Sequence, residues 1–183
     1  MRGFTAFSET VEPEEVMALL REYHSVLGNL IHRFEGTVEH FAGDAIMVLF
    51  NAPLPCPDPA ARAARMAIEM RHQVTILMAK WRRLGHELGF GVGIAHGYAT
   101  LGRIGFEGRY DYGAVGSVVN LAARLCADAK DKQILIDSGV FAAIERTIGT
   151  EPAGELTLKG FRRPVRAFNI CLTQEEVDRG VRR

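Results

Sequence analysis

Residues 37–50 read TVEHFAGDAIMVLF, the clearest strand pattern in the chain. Two runs suited to β-strands, Thr37 to Phe41 and Ala45 to Phe50, flank the short segment Ala42-Gly43-Asp44, which suits a hairpin turn. The second run is apolar on both faces, and that pattern is typical of a central strand that is covered on each side. We therefore expect a β-hairpin whose second strand lies inside a sheet.

Helices are predicted on both sides of this hairpin. Upstream, apolar residues recur at helical spacing from Pro13, which suits a first helical position, and the run ends at Gly36. Downstream, residues 51–59 hold four prolines and must form a loop, and a long helix follows from about Asp58 to Leu84. The hairpin is thus enclosed by two long helices.

The remainder of the chain continues to alternate between the two kinds of element. Strands are expected at 88–95, 97–101, 133–136, 155–158 and 165–170, helices at 118–127 and 139–144, and a flexible or tightly turned stretch with five glycines at 102–116. This order predicts an α+β sandwich in which helices cover one sheet. A ferredoxin-like βαββαβ core with extra strands and helices fits best, except that its first strand is missing before the first helix.

Composition excludes several classes of function. The 183 residues suit one domain, and 22 basic residues balance 22 acidic ones, which removes the electrostatic basis for general nucleic-acid binding. The longest apolar run, Ala45 to Phe50, is too short to span a bilayer. Three cysteines without metal-like spacing favour a reduced, cytoplasmic setting. The chain also lacks a Gly-Lys-Ser/Thr phosphate loop, and its six histidines are too scattered for a zinc site.

Three segments carry a more specific signal. They are RGFTAFS at 2–8, TVEHFAGD at 37–44 and RYDYGAVGSVVNLAARL at 109–125. Together they resemble the class III nucleotidyl cyclases, the family that makes cyclic AMP or cyclic GMP, and the resemblance extends to about Ile170. It implies a cyclase catalytic domain over residues 1–172, followed by a charged tail at 173–183.

Asp44 is the candidate metal ligand. A carboxylate at a hairpin tip suits a hard cation, although aspartate is also common in turns for structural reasons. The resemblance implies that Asp44 is one of two aspartates that bind two Mg²⁺ or Mn²⁺ ions, which activate the ribose 3′-hydroxyl and neutralise the triphosphate. The second aspartate would lie two positions before Arg2, one residue upstream of Met1, as would the first strand of the family's sheet. We therefore expect these residues to be part of a longer protein, and residues 1–183 alone to be nearly inactive.

Asn120 and Arg124 are the candidate catalytic residues. They are four positions apart on a predicted helix, so both project from one face. The resemblance implies that Asn120 orients the ribose and that Arg124 stabilises charge on the α-phosphate, a role that suits the planar and permanently charged guanidinium. Without the family context, both would be ordinary solvated side chains.

The resemblance also implies phosphate-binding and base-recognition residues. Backbone amides of Phe4 and Thr5 would hold the β- and γ-phosphates, and Lys159 would contact the terminal phosphates, although a surface lysine is nearly as good an explanation. His40 and Gly113 occupy the base-reading positions, where adenylate cyclases usually carry lysine with aspartate or threonine, and guanylate cyclases glutamate with cysteine. Because neither His40 nor Gly113 offers an acidic group to the hydrogen-bonding edge of guanine, ATP is favoured over GTP as the substrate.

The resemblance predicts an adenylate cyclase domain that converts ATP to cyclic AMP and pyrophosphate. In the family, one protomer supplies the metal aspartates and the other the Asn/Arg pair, so a head-to-tail homodimer is expected, regulated by an upstream sensor domain. The alternative is a non-catalytic cyclase-like module that dimerises and binds nucleotide. A ferredoxin-like RNA binder is disfavoured by the neutral charge and by an aromatic content of 8%.

Overall fold

The computed structural model describes residues 1–172, so the predicted tail at 173–183 lies outside the described residues. Five helices and eight strands follow one another in the order α1 (Phe4–Ser8), α2 (Pro13–Arg33), β1 (Thr37–Ala42), β2 (Ala45–Leu49), α3 (Pro59–Arg83), β3 (Val92–Ile94), β4 (Thr100–Phe106), β5 (Arg109–Val115), α4 (Ser117–Asp128), β6 (Ile134–Asp137), α5 (Ser138–Ile144), β7 (Thr150–Leu156) and β8 (Val165–Ile170). The predicted α+β class is confirmed.

The strands form three sheets in the described part of the chain. One has four strands in the order β3-β6-β8-β7, with β3 parallel to β6 and the other pairs antiparallel. The hairpins β1–β2 and β4–β5 each form a two-stranded sheet. The prediction of a single sheet with β2 as a central covered strand is wrong, because β2 pairs only with β1 among residues 1–172 and its apolar side chains are half-buried.

The glycine-rich stretch 102–116, expected to be flexible or tightly turned, forms most of an ordered hairpin with its tight turn at residues 107–108. Strands β4 and β5 pair in unbroken register from Thr100 opposite Val115 to Phe106 opposite Arg109. Gly102 and Gly113 face each other within this ladder, so they lie in strands. Gly108 adopts a φ of 91° at the turn, a conformation that favours glycine. The glycines of this stretch therefore lie at a turn and in paired strands, whereas the sequence pattern suggested flexibility or tight turns.

The four-stranded sheet is covered by helices on both faces. Ile134 and Ile136 of β6 pack with α3 and α5, while Leu135 between them packs with α4 on the opposite side. This alternation follows from the period of two along a strand, and it explains why all of β6 is buried. Helix α2 packs on α3 and on the β1–β2 hairpin in a separate core. Within residues 1–172, α4 is therefore the one helix that packs on its face of the sheet.

Candidate functional site

Helix α4 presents Asn120 and Arg124 to solvent. The helix begins at Ser117 directly after β5, and its inward residue Leu125 is completely buried in the core against the sheet. Asn120 and Arg124 lie one turn apart on the exposed side. Among residues 1–172, neither side chain has a hydrogen-bond or ion-pair partner, so both are available to a ligand.

Gly93 sets the distance between α4 and the sheet. A Cβ added to this residue of β3 would lie 2.1 Å from the backbone nitrogen of Cys126 and 2.4 Å from the carbonyl oxygen of Ala122. Both atoms belong to the backbone of α4, so no side-chain rotation could relieve the overlap. The position of Arg124 therefore depends on the absence of a side chain at Gly93.

Asp44 lies between β1 and β2, where its carboxylate pairs with the N-terminal ammonium of Met1. Its side chain is partly buried, and His24 and Tyr23 of α2 lie close enough to interact with it electrostatically. Burial lowers the pKa of His24, and the Asp44 charge partly opposes this effect. Burial raises the pKa of Tyr23, and the Asp44 charge adds to the rise.

The surroundings of Asp44 bear on metal binding. Its carboxylate is partly exposed and supplies the oxygen donors that Mg²⁺ and Mn²⁺ prefer, so its chemistry fits one ligand position of a hard cation. Within residues 1–172, no group of three His, Cys, Asp or Glu side chains could hold a metal ion. Asp44 therefore stays a candidate metal ligand, without a three-residue ligand cluster around it in the described part of the chain.

The segment Arg2–Thr5 lies next to Met1. Gly3 adopts a φ of 75° before α1, and a Cβ there would lie 2.9 Å from the carbonyl oxygen of Glu87. Phe4 and Thr5 open the short helix α1, so their amides belong to the first turn and have no intrahelical acceptor. The sequence analysis did not predict α1, which is only five residues long.

The base-reading positions meet at the contact between β1 and β5, where Glu39 joins them. One carboxylate oxygen of Glu39 lies 3.4 Å from the amide nitrogen of Ala114, which donates to it, and 3.1 Å from where a Cβ of Gly113 would stand. The other oxygen pairs with His40 Nδ1. His40 and Gly113 themselves are not acidic, but the structure places the Glu39 carboxylate directly beside them. The sequence analysis missed Glu39 because the register shift between Val38 and His40 changes the side that each residue faces.

Lys159 is exposed in the connection between β7 and β8. The preceding Leu158 is buried in the same core as Leu125 of α4, so this connection is anchored beside the helix that carries Arg124. The structure therefore places Lys159 on the side of the molecule where α4 covers the sheet.

The candidate residues fall into two groups. The first group is Asp44, Phe4 and Thr5, because Asp44 and Arg2, which precedes this turn, both lie within electrostatic range of Tyr23 on α2. The second group is linked through the β1–β5 contact, the β5–α4 connection and the core beneath α4, and comprises His40, Gly113, Asn120, Arg124 and Lys159. Two concave pockets, of about 290 and 330 Å³, are lined by residues of neither group. Asn120, Arg124 and Lys159 are exposed, whereas Asp44 is partly buried and Gly113 is buried.

The exposed Asn/Arg pair on α4 and the carboxylate at the β1–β2 turn lie in two of the three segments that carry the family resemblance. The family whose model matches residues 1–171 is the adenylate and guanylate cyclase catalytic domain. The chain belongs to this class III cyclase family, as the three motifs predicted.

Named relatives and solved structures agree with this assignment. Adenylate cyclase 1 of Rhizobium meliloti (strain 1021) is 32% identical over 160 residues, which cover 86% of this chain and 24% of that protein. The crystal structure of the adenylyl cyclase CyaB from P. aeruginosa has a TM-score of 0.89 at 33% identity, covering 96% of this chain and 91% of the other. The guanylyl cyclase Cya2 has a TM-score of 0.84 at 34% identity, covering 95% and 89%.

The chain spans roughly a quarter to a third of the length of the curated relatives it matches. No helix within residues 1–172 is long and apolar enough to cross a membrane.

Proposed function

We propose that this domain is an adenylate cyclase that converts ATP to cyclic AMP and pyrophosphate. The observation that carries the proposal is the exposed pair on α4, Asn120 and Arg124, which have no partner within residues 1–172 and belong to a cyclase fold. ATP is proposed over GTP because two curated relatives at about a third identity or slightly less are named adenylate cyclases. Glu39 beside Gly113 supplies an acceptor at the base-reading positions, so the choice of purine must be measured.

Each candidate residue has a separate role in the proposed reaction. Asn120 hydrogen-bonds the ribose and orients its 3′-hydroxyl, whose oxygen attacks the α-phosphorus while the bond to the β-phosphate oxygen breaks. Arg124 donates to the α-phosphate oxygens, where charge accumulates in the transition state. The amides of Phe4 and Thr5 and the ammonium of Lys159 hold the β- and γ-phosphates, which leave as pyrophosphate, and the hydroxyl proton passes to solvent.

Asp44 is the proposed ligand of the divalent cation in this site. Mg²⁺ or Mn²⁺ bound there would neutralise the triphosphate and activate the 3′-hydroxyl. The family resemblance implies a second metal-binding aspartate two positions before Arg2, and the described residues hold no cluster of three possible ligands. We therefore propose that this second carboxylate comes from chain upstream of Met1 and that residues 1–183 alone have little activity.

The β4–β5 hairpin is the proposed contact between two copies of the domain. Six of its apolar side chains are exposed to solvent, namely Leu101, Ile104, Phe106, Tyr110, Tyr112 and Val115. Head-to-tail pairing would bring Asp44 of one protomer to Arg124 of the other, giving two equivalent sites per dimer. We further propose that the domain acts in the cytoplasm as the output of an upstream sensor.

The function is tested by measuring cyclic AMP and cyclic GMP formed from MnATP and MnGTP. The assay compares residues 1–183 with a form extended upstream through the expected aspartate. We expect the extended form to make cyclic AMP and the shorter one to make very little. Absence of product from both forms at high protein concentration would favour the alternative, a non-catalytic nucleotide-binding module. Cyclic GMP as the main product would contradict the choice of ATP, and robust turnover by residues 1–183 would contradict their proposed inactivity.

Replacing Phe106 by aspartate should weaken the dimer by at least about tenfold in its dissociation constant, because it places a charge on an apolar contact. Phe106 is 70% exposed and belongs to none of the three cores, so the melting temperature should not change. Sedimentation velocity over a dilution series measures the effect. Leu54→Asp, on the exposed loop before α3, is the matched control and should leave association intact. Equal dissociation constants for both variants would exclude the hairpin as the interface.

A further inference from the structure

The side chain of Arg2 reaches the C-terminal end of helix α4. Its Nη2 donates to the carbonyl oxygen of Cys126, and its Nη1 donates to that of Ala127 at 3.3 Å. These carbonyls belong to the last turn of the helix, where intrahelical amide partners run out and the helix dipole is negative. A guanidinium satisfies both requirements, because it offers two parallel donors and a positive charge.

Contacts with Gly89 and Gly91 hold Arg2 in this position. Its backbone forms an antiparallel bridge with Gly89, with N–H···O distances of 2.7 and 3.0 Å. The guanidinium passes Gly91, where a Cβ would stand 2.8 Å from Nη2 and 3.1 Å from Nε. Nε itself is buried without a hydrogen-bond partner among residues 1–172. An unpaired buried N–H group raises the free energy of the folded state. The two hydrogen bonds from Arg2 to α4 must therefore stabilise the fold by more than this cost.

Arg2 also stands between the two groups of candidate residues. Asp44 and Arg2 both lie within electrostatic range of Tyr23 on α2, and the residues after Arg2 lead into the turn at Phe4 and Thr5. Its side chain ends on the helix that carries Asn120 and Arg124. One residue therefore connects the metal and phosphate group directly to the end of the helix that bears the other group.

We propose that Arg2 is a positioning residue that fixes α4, and through it Arg124, relative to the segment that holds Asp44 and the phosphate turn. The proposal rests on the function given above. In the proposed dimer, the two groups of one protomer serve different active sites, so Arg2 would link one site to the other. The RGFT motif would then have two roles, with its arginine acting on α4 and its Phe4 and Thr5 amides acting on phosphate.

The first test uses amide hydrogen exchange and does not require activity. Arg2→Met should accelerate exchange at residues 125–129 at least tenfold while leaving 134–137 of β6 unchanged. Gly91→Ala keeps Arg2 in the sequence but should displace its guanidinium, and it should also accelerate exchange at these residues. Because its methyl group would also lie 3.1 Å from the Cβ of Ala129, Arg2→Met is the deciding variant. Arg2→Lys should show a smaller increase, since one ammonium replaces two parallel donors. Unchanged exchange in α4, or a uniform increase along the chain, would overturn the proposal.

The second test uses mixed dimers with a single intact site, in the form of the chain that has cyclase activity. Mixing an Asp44→Ala protomer with an Arg124→Ala protomer leaves one site, which takes its arginine from the first and its aspartate from the second. Arg2→Met placed in the Asp44→Ala protomer should lower turnover at least tenfold, and placed in the Arg124→Ala protomer it should lower turnover less than twofold.

The comparison separates positioning from a general loss of structure. Equal losses in the two placements would overturn the proposal, because damaged folding would affect both protomers alike. The mixture of Asp44→Ala and Arg124→Ala protomers could also be inactive with Arg2 unchanged, although the wild-type protein is active. That result would contradict the site shared between protomers in the proposed function. The hydrogen-exchange experiment would then decide the role of Arg2 by itself.

Discussion

Replacing Arg124 by alanine should lower kcat for cyclic AMP formation by about 10²–10³, the usual cost of removing one donor to a developing oxyanion. The side chain is exposed and has no partner within residues 1–172, so its loss should leave the melting temperature unchanged. Arg124→Lys keeps the charge but loses the planar pair of donors, and we expect it to recover only part of the activity. Initial rates at saturating MnATP, in the active form of the chain, measure the effect.

Arg65→Ala is the matched control for this experiment. Arg65 is an exposed helical arginine on α3, outside both groups of candidate residues, and its replacement should change kcat less than twofold. If Arg124→Ala were as active as Arg65→Ala, the catalytic role of the α4 pair would be wrong. If both variants lost activity together, the loss would have to be attributed to net charge.

Replacing Gly93 by alanine should destabilise the domain by at least about 3 kcal/mol, the upper end of ordinary overpacking. The added methyl group would stand 2.1 Å from a backbone nitrogen of α4 and 2.7 Å from the carbonyl carbon of Leu125. Since neither atom can move without shifting the helix, α4 must leave its place on β3 or the domain must unfold. Chemical denaturation measures the free energy of unfolding of the variant and of the parent chain.

Gly28→Ala is the control, because the same substitution at this position should raise the free energy of unfolding. Gly28 lies in α2, and a Cβ there meets no atom within 4 Å, so alanine should stabilise the helix by about 0.5–1 kcal/mol. A Gly93→Ala variant as stable as Gly28→Ala would show that α4 does not approach β3 as closely as described.

Elements with a single strong periodicity were predicted well from the sequence. Helices α2 and α3 each have an amphipathic pattern over more than 20 residues and a proline at the first turn, and the structure begins both within a residue or so of the predicted positions. The hairpin β1–β2 was also predicted with its turn at Gly43. These features depend on local patterns, which a sequence displays directly.

What the sequence did not predict depends on contacts between distant segments. The hairpin β4–β5 was missed because its glycines suggested turns, whereas Gly102 and Gly113 pair across the ladder. The contact of Glu39 with Ala114 and that of Arg2 with Cys126 join residues 75 and 124 positions apart. No local pattern could reveal such pairs, whereas the motifs that carry Asn120, Arg124 and Asp44 were recognisable because the family resemblance is itself local.

The β4–β5 hairpin contributes no side chain to any of the three cores, although it carries six exposed apolar residues. Substitutions of these six exposed residues should therefore carry little thermodynamic penalty for the individual protomer. The exposed face of this hairpin can therefore diverge in sequence faster than the rest of the domain. Paralogues within one cell could acquire mutually exclusive pairing preferences while each protomer still folds.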